Sequence, residues 1–248
     1  EIEITEAPSA ADSTVKSSTK ESSQLDLFGA QSLIEDSEPL PTSSFKTLAT
    51  ERAKYHLVNT REELEKLISL LKKQKEFCFD TETDNLEPRH AKLVGVSFCF
   101  KEKEAYYVPI PEVNDFSKSL IQQFSSVFLN TKILKIGHNL KYDLKVLSRY
   151  GINVSSACFD TMIAHYLINP ESKQSMDFLA EQHLNYQCVS IESLIGKKGK
   201  NQKNMKDLAP EEVSDYACED ADITFQLKKL FDSEIEKPHL KSLFESVE

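Results

Sequence analysis

The run Phe77-Cys78-Phe79-Asp80-Thr81-Glu82-Thr83-Asp84 constrains this chain more than any other segment. Phe, Cys and Phe in succession read as a buried strand, and two carboxylates stand where it ends. Side chains two apart on a strand share a face, so Asp80 and Glu82 project from one side of a sheet. At ~4 Å and an effective dielectric of about 20, their like charges repel by roughly 4 kcal/mol. Such a pair needs a cation or a proton, unless it is simply solvated at a turn.

The 248 residues are 40% hydrophobic, ample material for a core. The chain starts at Glu1 without a Met and reads as a fragment of something longer. Its net charge of −10 is uneven, because residues 1–44 hold nine acidic and only two basic side chains. The remainder is nearly neutral, which says little against a polyanionic partner. Cys78, Cys99, Cys158, Cys188 and Cys218 are scattered singly, as expected of reduced thiols in a cytoplasm-like compartment. No apolar run approaches the ~18 residues of a membrane span, and the amino end has no signal-peptide pattern.

Composition divides the chain into residues 1–50, an acidic, Ser-rich disordered linker, and residues 51–248, a folded domain. Within the linker, Gln24-Leu25-Asp26-Leu27-Phe28 resembles the short motif by which bacterial replication and repair proteins dock on the sliding clamp. The alternative is a merely sticky linker. The domain opens with the capping box Thr60-Arg61-Glu62-Glu63 ahead of Leu64, Leu67, Leu70 and Leu71 at helical spacing. Two more strands, 93–100 and 105–108, flank the charged turn Lys101-Glu102-Lys103-Glu104 and complete an antiparallel set. A helix near 116–129, a strand at 133–137, a helix from Asn139 to Tyr150 and a short strand near 157–159 follow. Helices near 160–168, 175–184 and 210–235 finish the chain. The order predicts an α/β fold, a mixed sheet of three antiparallel strands plus parallel strands flanked by helices.

Two further acids stand out. Asp143 follows Gly137-His138-Asn139-Leu140-Lys141-Tyr142, and Asp220 lies in Asp215-Tyr216-Ala217-Cys218-Glu219-Asp220-Ala221-Asp222. Tyr216 and Asp220 are four apart and share a helix face, which meets the sheet if Ala217, Ala221, Ile223 and Thr224 pack inward. Asp-Thr-Glu-Thr-Asp, Gly-His-Asn-Leu-Lys-Tyr-Asp and Tyr-Ala-Cys-Glu-Asp-Ala-Asp resemble the three exonuclease motifs of family A DNA polymerases, in the same order. The likeness continues through Ser175 to Glu181 and Gly199 to Gln202 and covers roughly residues 55–235.

This resemblance implies the 3′→5′ proofreading domain of a bacterial polymerase I, with a ribonuclease-H-like fold. It also implies a bacterial cytoplasm, and polymerase and 5′-nuclease domains in the same parent chain. Asp80, Glu82, Asp143 and Asp220 would hold two divalent cations, with Tyr216 positioning the attacking water. Oxygen-only ligands select hard ions, Mg²⁺ or Mn²⁺. Related nucleases place a His five positions before the last Asp; Asp215 stands there, so Tyr216 puts the chain in the tyrosine subclass. Substrate contacts to a single-stranded DNA 3′ end would come from Leu86 under the terminal base, from Asn139 and Tyr142, and from Lys173, where relatives often carry Arg. Lys197, Lys198, Lys200, Lys203 and Lys206 would form a strap over the phosphate backbone. An RNA-trimming exonuclease of the ribonuclease D kind, or a silent module that only holds a DNA end, are the alternative readings.

Overall fold

The computed structural model describes residues 45–112, 114–154 and 158–247. The Gln24 to Phe28 motif lies outside the described residues. Six strands form one sheet: β1 (Lys54–Leu57), β2 (Glu76–Thr83), β3 (Leu93–Lys101), β4 (Glu104–Pro109), β5 (Leu134–Gly137) and β6 (Cys158–Asp160). Their order is β1-β4-β3-β2-β5-β6. β3 pairs antiparallel with both β2 and β4, while β5 adds parallel to β2, β6 parallel to β5 and β1 parallel to β4. The mixed sheet expected from sequence is therefore present, with β1 as an additional edge.

Strand alternation sends neighbouring residues of β2 into two different layers. Phe77 and Phe79 pack with α1 (Arg61–Leu71), the short α2 (Asn114–Gln122) and α3 (Ser125–Phe128), and α4 (Leu140–Arg149). Cys78 faces the opposite layer, built around α8 (Pro210–Ile235) with α5 (Thr161–Ile168), α6 (Met176–Leu184) and α9 (Pro238–Val247). A minor helix α7 (Ile191–Ile195) and a single turn of 3₁₀ helix (Met205–Asp207) lie between α6 and α8. Asp80 and Glu82 have the parity of Cys78, so they project toward α8.

The Thr60 and Glu63 capping box forms as read, with Thr60 Oγ1 accepting from the Glu63 amide and Glu63 reaching back to the Thr60 amide. The single helix expected at 116–129 is instead two, because Phe124 turns inward and stacks on Phe98 at 4.9 Å. Ordered contacts begin before residue 51, where composition starts the domain. The Lys46 amide donates to Asn185 O at 2.9 Å, and Lys46 O accepts from Gln187 at 2.8 Å.

Helix α8 crosses the sheet and is fastened to it repeatedly. Lys228, buried, bridges Glu76 on β2 at 2.8 Å and Asp232 at 3.1 Å. Asp222 accepts from Tyr55 Oη at 3.0 Å, from the Lys103 amide at 2.9 Å and from Gln226 at 3.0 Å. Glu219 accepts from Tyr186 Oη and from the Val189 amide, each at 2.6 Å. Among the described residues no helix is long and apolar enough to cross a membrane.

Candidate active site

Where β2 leaves the sheet, α8 brings Asp220 over it. Ala217, Ala221, Ile223 and Thr224 are all buried, so the inward face of α8 is the one its spacing predicts. Carboxylate oxygens of Asp80, Glu82 and Asp220 lie within 4.8 Å of one another. Glu219, Asp220 and Asp222 are neighbours on one helix, yet only Asp220 has a buried oxygen, Oδ1, without a hydrogen-bond partner. Glu82 Oε1 is in the same condition. Burying an anionic oxygen with nothing to bind it is costly, so such atoms mark a place shaped for a cation. The donor set is all oxygen, which fits a hard divalent ion.

Asp143 arrives from the other layer, on α4, and is not in that three-carboxylate group. Its Oδ1 accepts from the Thr81 amide at 3.2 Å and from Thr81 Oγ1 at 2.5 Å. Thr81 sits between the two acids on β2 and points the other way, so one strand positions three carboxylates from both faces. The motif spacing gave no signal for this role of Thr81. Burial, and then the charge of Asp80, push the Asp143 carboxyl well above its ordinary range.

The whole cluster is electrostatically strained in the absence of a cation. Loss of water around its carboxyl raises Asp80 to about 6. Glu82 is raised by burial and by the charges of Asp80 and Asp143. Asp220 is raised by burial, then by Asp80 and Glu82. Each group holds its proton more tightly folded than unfolded, so the folded chain binds extra protons between the ordinary and the raised values. Its stability contribution is therefore present at low pH and lost as pH rises; for Asp80 the window runs from 3.8 to about 6. In metal-free buffer the melting temperature should be several degrees higher at about pH 5 than at about pH 8, at ~2–4 °C per kcal/mol. Asp80→Asn should flatten that slope, and thermal melts across the pH range check it.

Tyr216 lies one turn before Asp220, half-buried and within the field of its carboxylate. Burial, followed by the Asp220 charge, drives its phenol far above the ordinary value, so it keeps its proton. Tyr142 Oη lies 2.5 Å from both Thr83 Oγ1 and Asn85 O, tying α4 to the loop that carries Leu86. Leu86 is 94% exposed, an apolar side chain presented to solvent next to the acids.

Asn139 adopts a left-handed conformation at φ 63° and makes no side-chain cap. Asp160, at the end of β6, replaces it: its carboxylate accepts from the Asn139 and Leu140 amides at 3.0 and 2.8 Å and also caps α5 through Met162 at 2.9 Å. Lys173 is exposed and lies over the Phe178 ring at 5.8 Å. Lys200 is exposed in the turn after α7. Beyond that turn, Asn204 Nδ2 donates to Asp84 O at 2.7 Å, which moors the lysine-bearing loop to the end of β2.

A family model described as 3′–5′ exonuclease matches residues 55–236. DNA polymerase I of Borreliella burgdorferi is 40% identical over 217 residues, covering 85% of this chain and 23% of that protein. DNA polymerase I of Pseudomonas aeruginosa is 32% identical over 182 residues, covering 69% and 20%. The chain thus spans about a quarter or less of the length of these curated relatives. Among solved structures, Brucella melitensis NrnC matches with a TM-score of 0.58 at 17% identity, covering 79% of this chain and 87% of that one. The catalytic core of RRP6 from Trypanosoma brucei matches with a TM-score of 0.62 at 19% identity, covering 82% and 53%. These likenesses agree with the ribonuclease-H-like sheet described above. With the family match running from β1 through the end of α8, the chain belongs to the 3′–5′ exonuclease family, as an exonuclease domain of the DNA polymerase I type.

Proposed function

We propose that the domain hydrolyses single-stranded or frayed DNA from the 3′ end, releasing 5′-monophosphates with the help of two Mg²⁺ or Mn²⁺ ions. One observation carries this reading: the partnerless buried oxygens of Glu82 and Asp220, in a carboxylate group no wider than 4.8 Å. Bound divalent cations would stabilise charge building on the phosphate and on the departing 3′-oxygen. A NrnC structure described with bound Mg²⁺, TM-score 0.56, supports that choice of ion. Asp80, Glu82 and Asp220 are the ligands this geometry favours, and Asp143, steadied by Thr81, is the fourth.

The remaining tasks fall to neutral and basic groups. Because Tyr216 keeps its proton, it orients an attacking water by hydrogen bonding rather than by acting as a base. Tyr142 and Asn139 frame the entry beside α4, and Leu86 offers an apolar surface on which any base can stack. Lys173, Lys200 and their neighbours supply salt-sensitive phosphate contacts. The length of the curated relatives supports a parent chain with polymerase and 5′-nuclease domains, and the Gln24 to Phe28 segment is a candidate clamp ligand there.

Trimming of RNA is the second reading, favoured by the likeness to a Trypanosoma brucei RNase D structure with a TM-score of 0.62 at 15% identity. Matched 3′-labelled single strands of DNA and RNA, with Mg²⁺ and with chelator, separate the two. DNA should shorten stepwise with Mg²⁺ only, and faster RNA trimming would overturn the assignment of substrate.

A further inference from the structure

Three buried side-chain atoms among the described residues lack a hydrogen-bond partner: Glu82 Oε1, Asp220 Oδ1 and Ser97 Oγ. The first two belong to the carboxylate group. Ser97 is on β3, fully buried, and belongs to none of the three exonuclease motifs. Its register explains its company. Ser97 pairs directly with Asp80 across β2 and β3. Directly opposite residues of an antiparallel pair point to the same face with Cβ atoms about 4.5–5.5 Å apart, so the Ser97 hydroxyl lies beside the Asp80 carboxylate and faces α8. All three unsatisfied buried side-chain atoms of the described residues therefore belong to the side of the sheet that faces α8 or to α8 itself.

A hydroxyl buried without a partner is ordinarily selected against, because Ala fills the same space without the desolvation penalty. We propose that Ser97 is a positioning residue of the cation site, whose hydroxyl donates to the Asp80 carboxylate when a divalent cation occupies the Asp80, Glu82 and Asp220 group. A carboxylate drawn to a cation loses freedom, and a neighbouring donor fixes which way it turns. This inference rests on the reading of that group as a cation site.

The test measures Mn²⁺ binding by calorimetry on the intact chain and on Ser97→Ala, Ser97→Cys and Asp80→Ala, with thermal melts in metal-free buffer. Ser97→Ala should bind Mn²⁺ roughly 10–100-fold more weakly, as losses of groups supporting metal ligands do. Its metal-free melting temperature should be equal to or above that of the parent chain. Ser97→Cys, with a similar volume and a weaker donor, should fall between. Unchanged Mn²⁺ affinity in Ser97→Ala overturns the role of the hydroxyl while leaving the cation site standing. A lower metal-free melting temperature likewise overturns it, by showing Ser97 to be a packing residue. If the parent chain and Asp80→Ala show the same absence of Mn²⁺ binding, the cation site itself fails and the inference with it.

Discussion

Asp80→Ala is expected to remove nuclease activity while raising the stability of the metal-free domain. Asp80 touches every part of the cluster: its charge raises the pKa of Glu82, Asp143 and Asp220. For catalysis, losing one of the proposed cation ligands should forfeit several kcal/mol of transition-state stabilisation. At 1.36 kcal/mol per tenfold, that is roughly a thousandfold or more in rate. For folding the sign reverses, because without a cation the carboxylate repels three buried neighbours. Single-turnover cleavage of a labelled strand and melts with chelator measure the two effects on one sample. A variant that is inactive because it has unfolded would show the opposite thermal shift.

Gly95→Ala should damage fold and site together. Gly95 pairs with Glu82 across the β2–β3 ladder, and a Cβ there would overlap the ring of Tyr107 on β4. Tyr107 is buried to 1% exposure, so the ring has no open space into which to move. Ordinarily Gly→Ala gains about 0.4–1 kcal/mol by stiffening the unfolded chain. Overpacking a closed core costs about 1–3 kcal/mol, and here that cost should dominate. A drop of roughly 5 °C in melting temperature is expected. Because the displaced ring is near enough for the Glu82 charge to act on its phenol, Mn²⁺ binding should weaken as well. Gly199→Ala is the control, since its Cβ would meet nothing closer than Lys197 O at 4.0 Å, and it should melt at or slightly above the parent.

The central strands were legible because their signals are local: Phe77 to Phe79 form an apolar run, and a charged turn follows Phe100. β1 was not, since Lys54–Leu57 is a short stretch of mixed polarity whose partner, Glu104 to Tyr107, lies some 50 residues away. Helix α9 likewise follows Pro238 directly after α8 and draws its burial from Phe244 against Phe159. For the site, the motif resemblance set Asp220 apart from Glu219 and Asp222 without giving a physical reason. Only packing shows that two are satisfied and one is not. The same holds at the start of α4, where Asn139 has the residue type of a cap and Asp160, twenty-one positions on, does the capping. Thr81 lies inside the first motif, but its hold on Asp143 shows only in the hydrogen bonds, and Ser97, outside all three motifs, is placed by the register across β2 and β3.

The anchoring of α8 has a consequence for how substrate enters. Glu219 and Asp222 are pinned to different parts of the chain, one to the segment after α6 and the other to the β3–β4 turn. Sliding the helix by one residue would swing each of these side chains by about 100° and break both attachments at once. Asp220 is therefore held at a fixed position, and under the proposed function accommodation of a strand end would fall to the Leu86 loop and to the lysine-bearing turn moored by Asn204. On that proposal, a DNA end would have to fit a fixed acidic anvil, with adjustment confined to its rim.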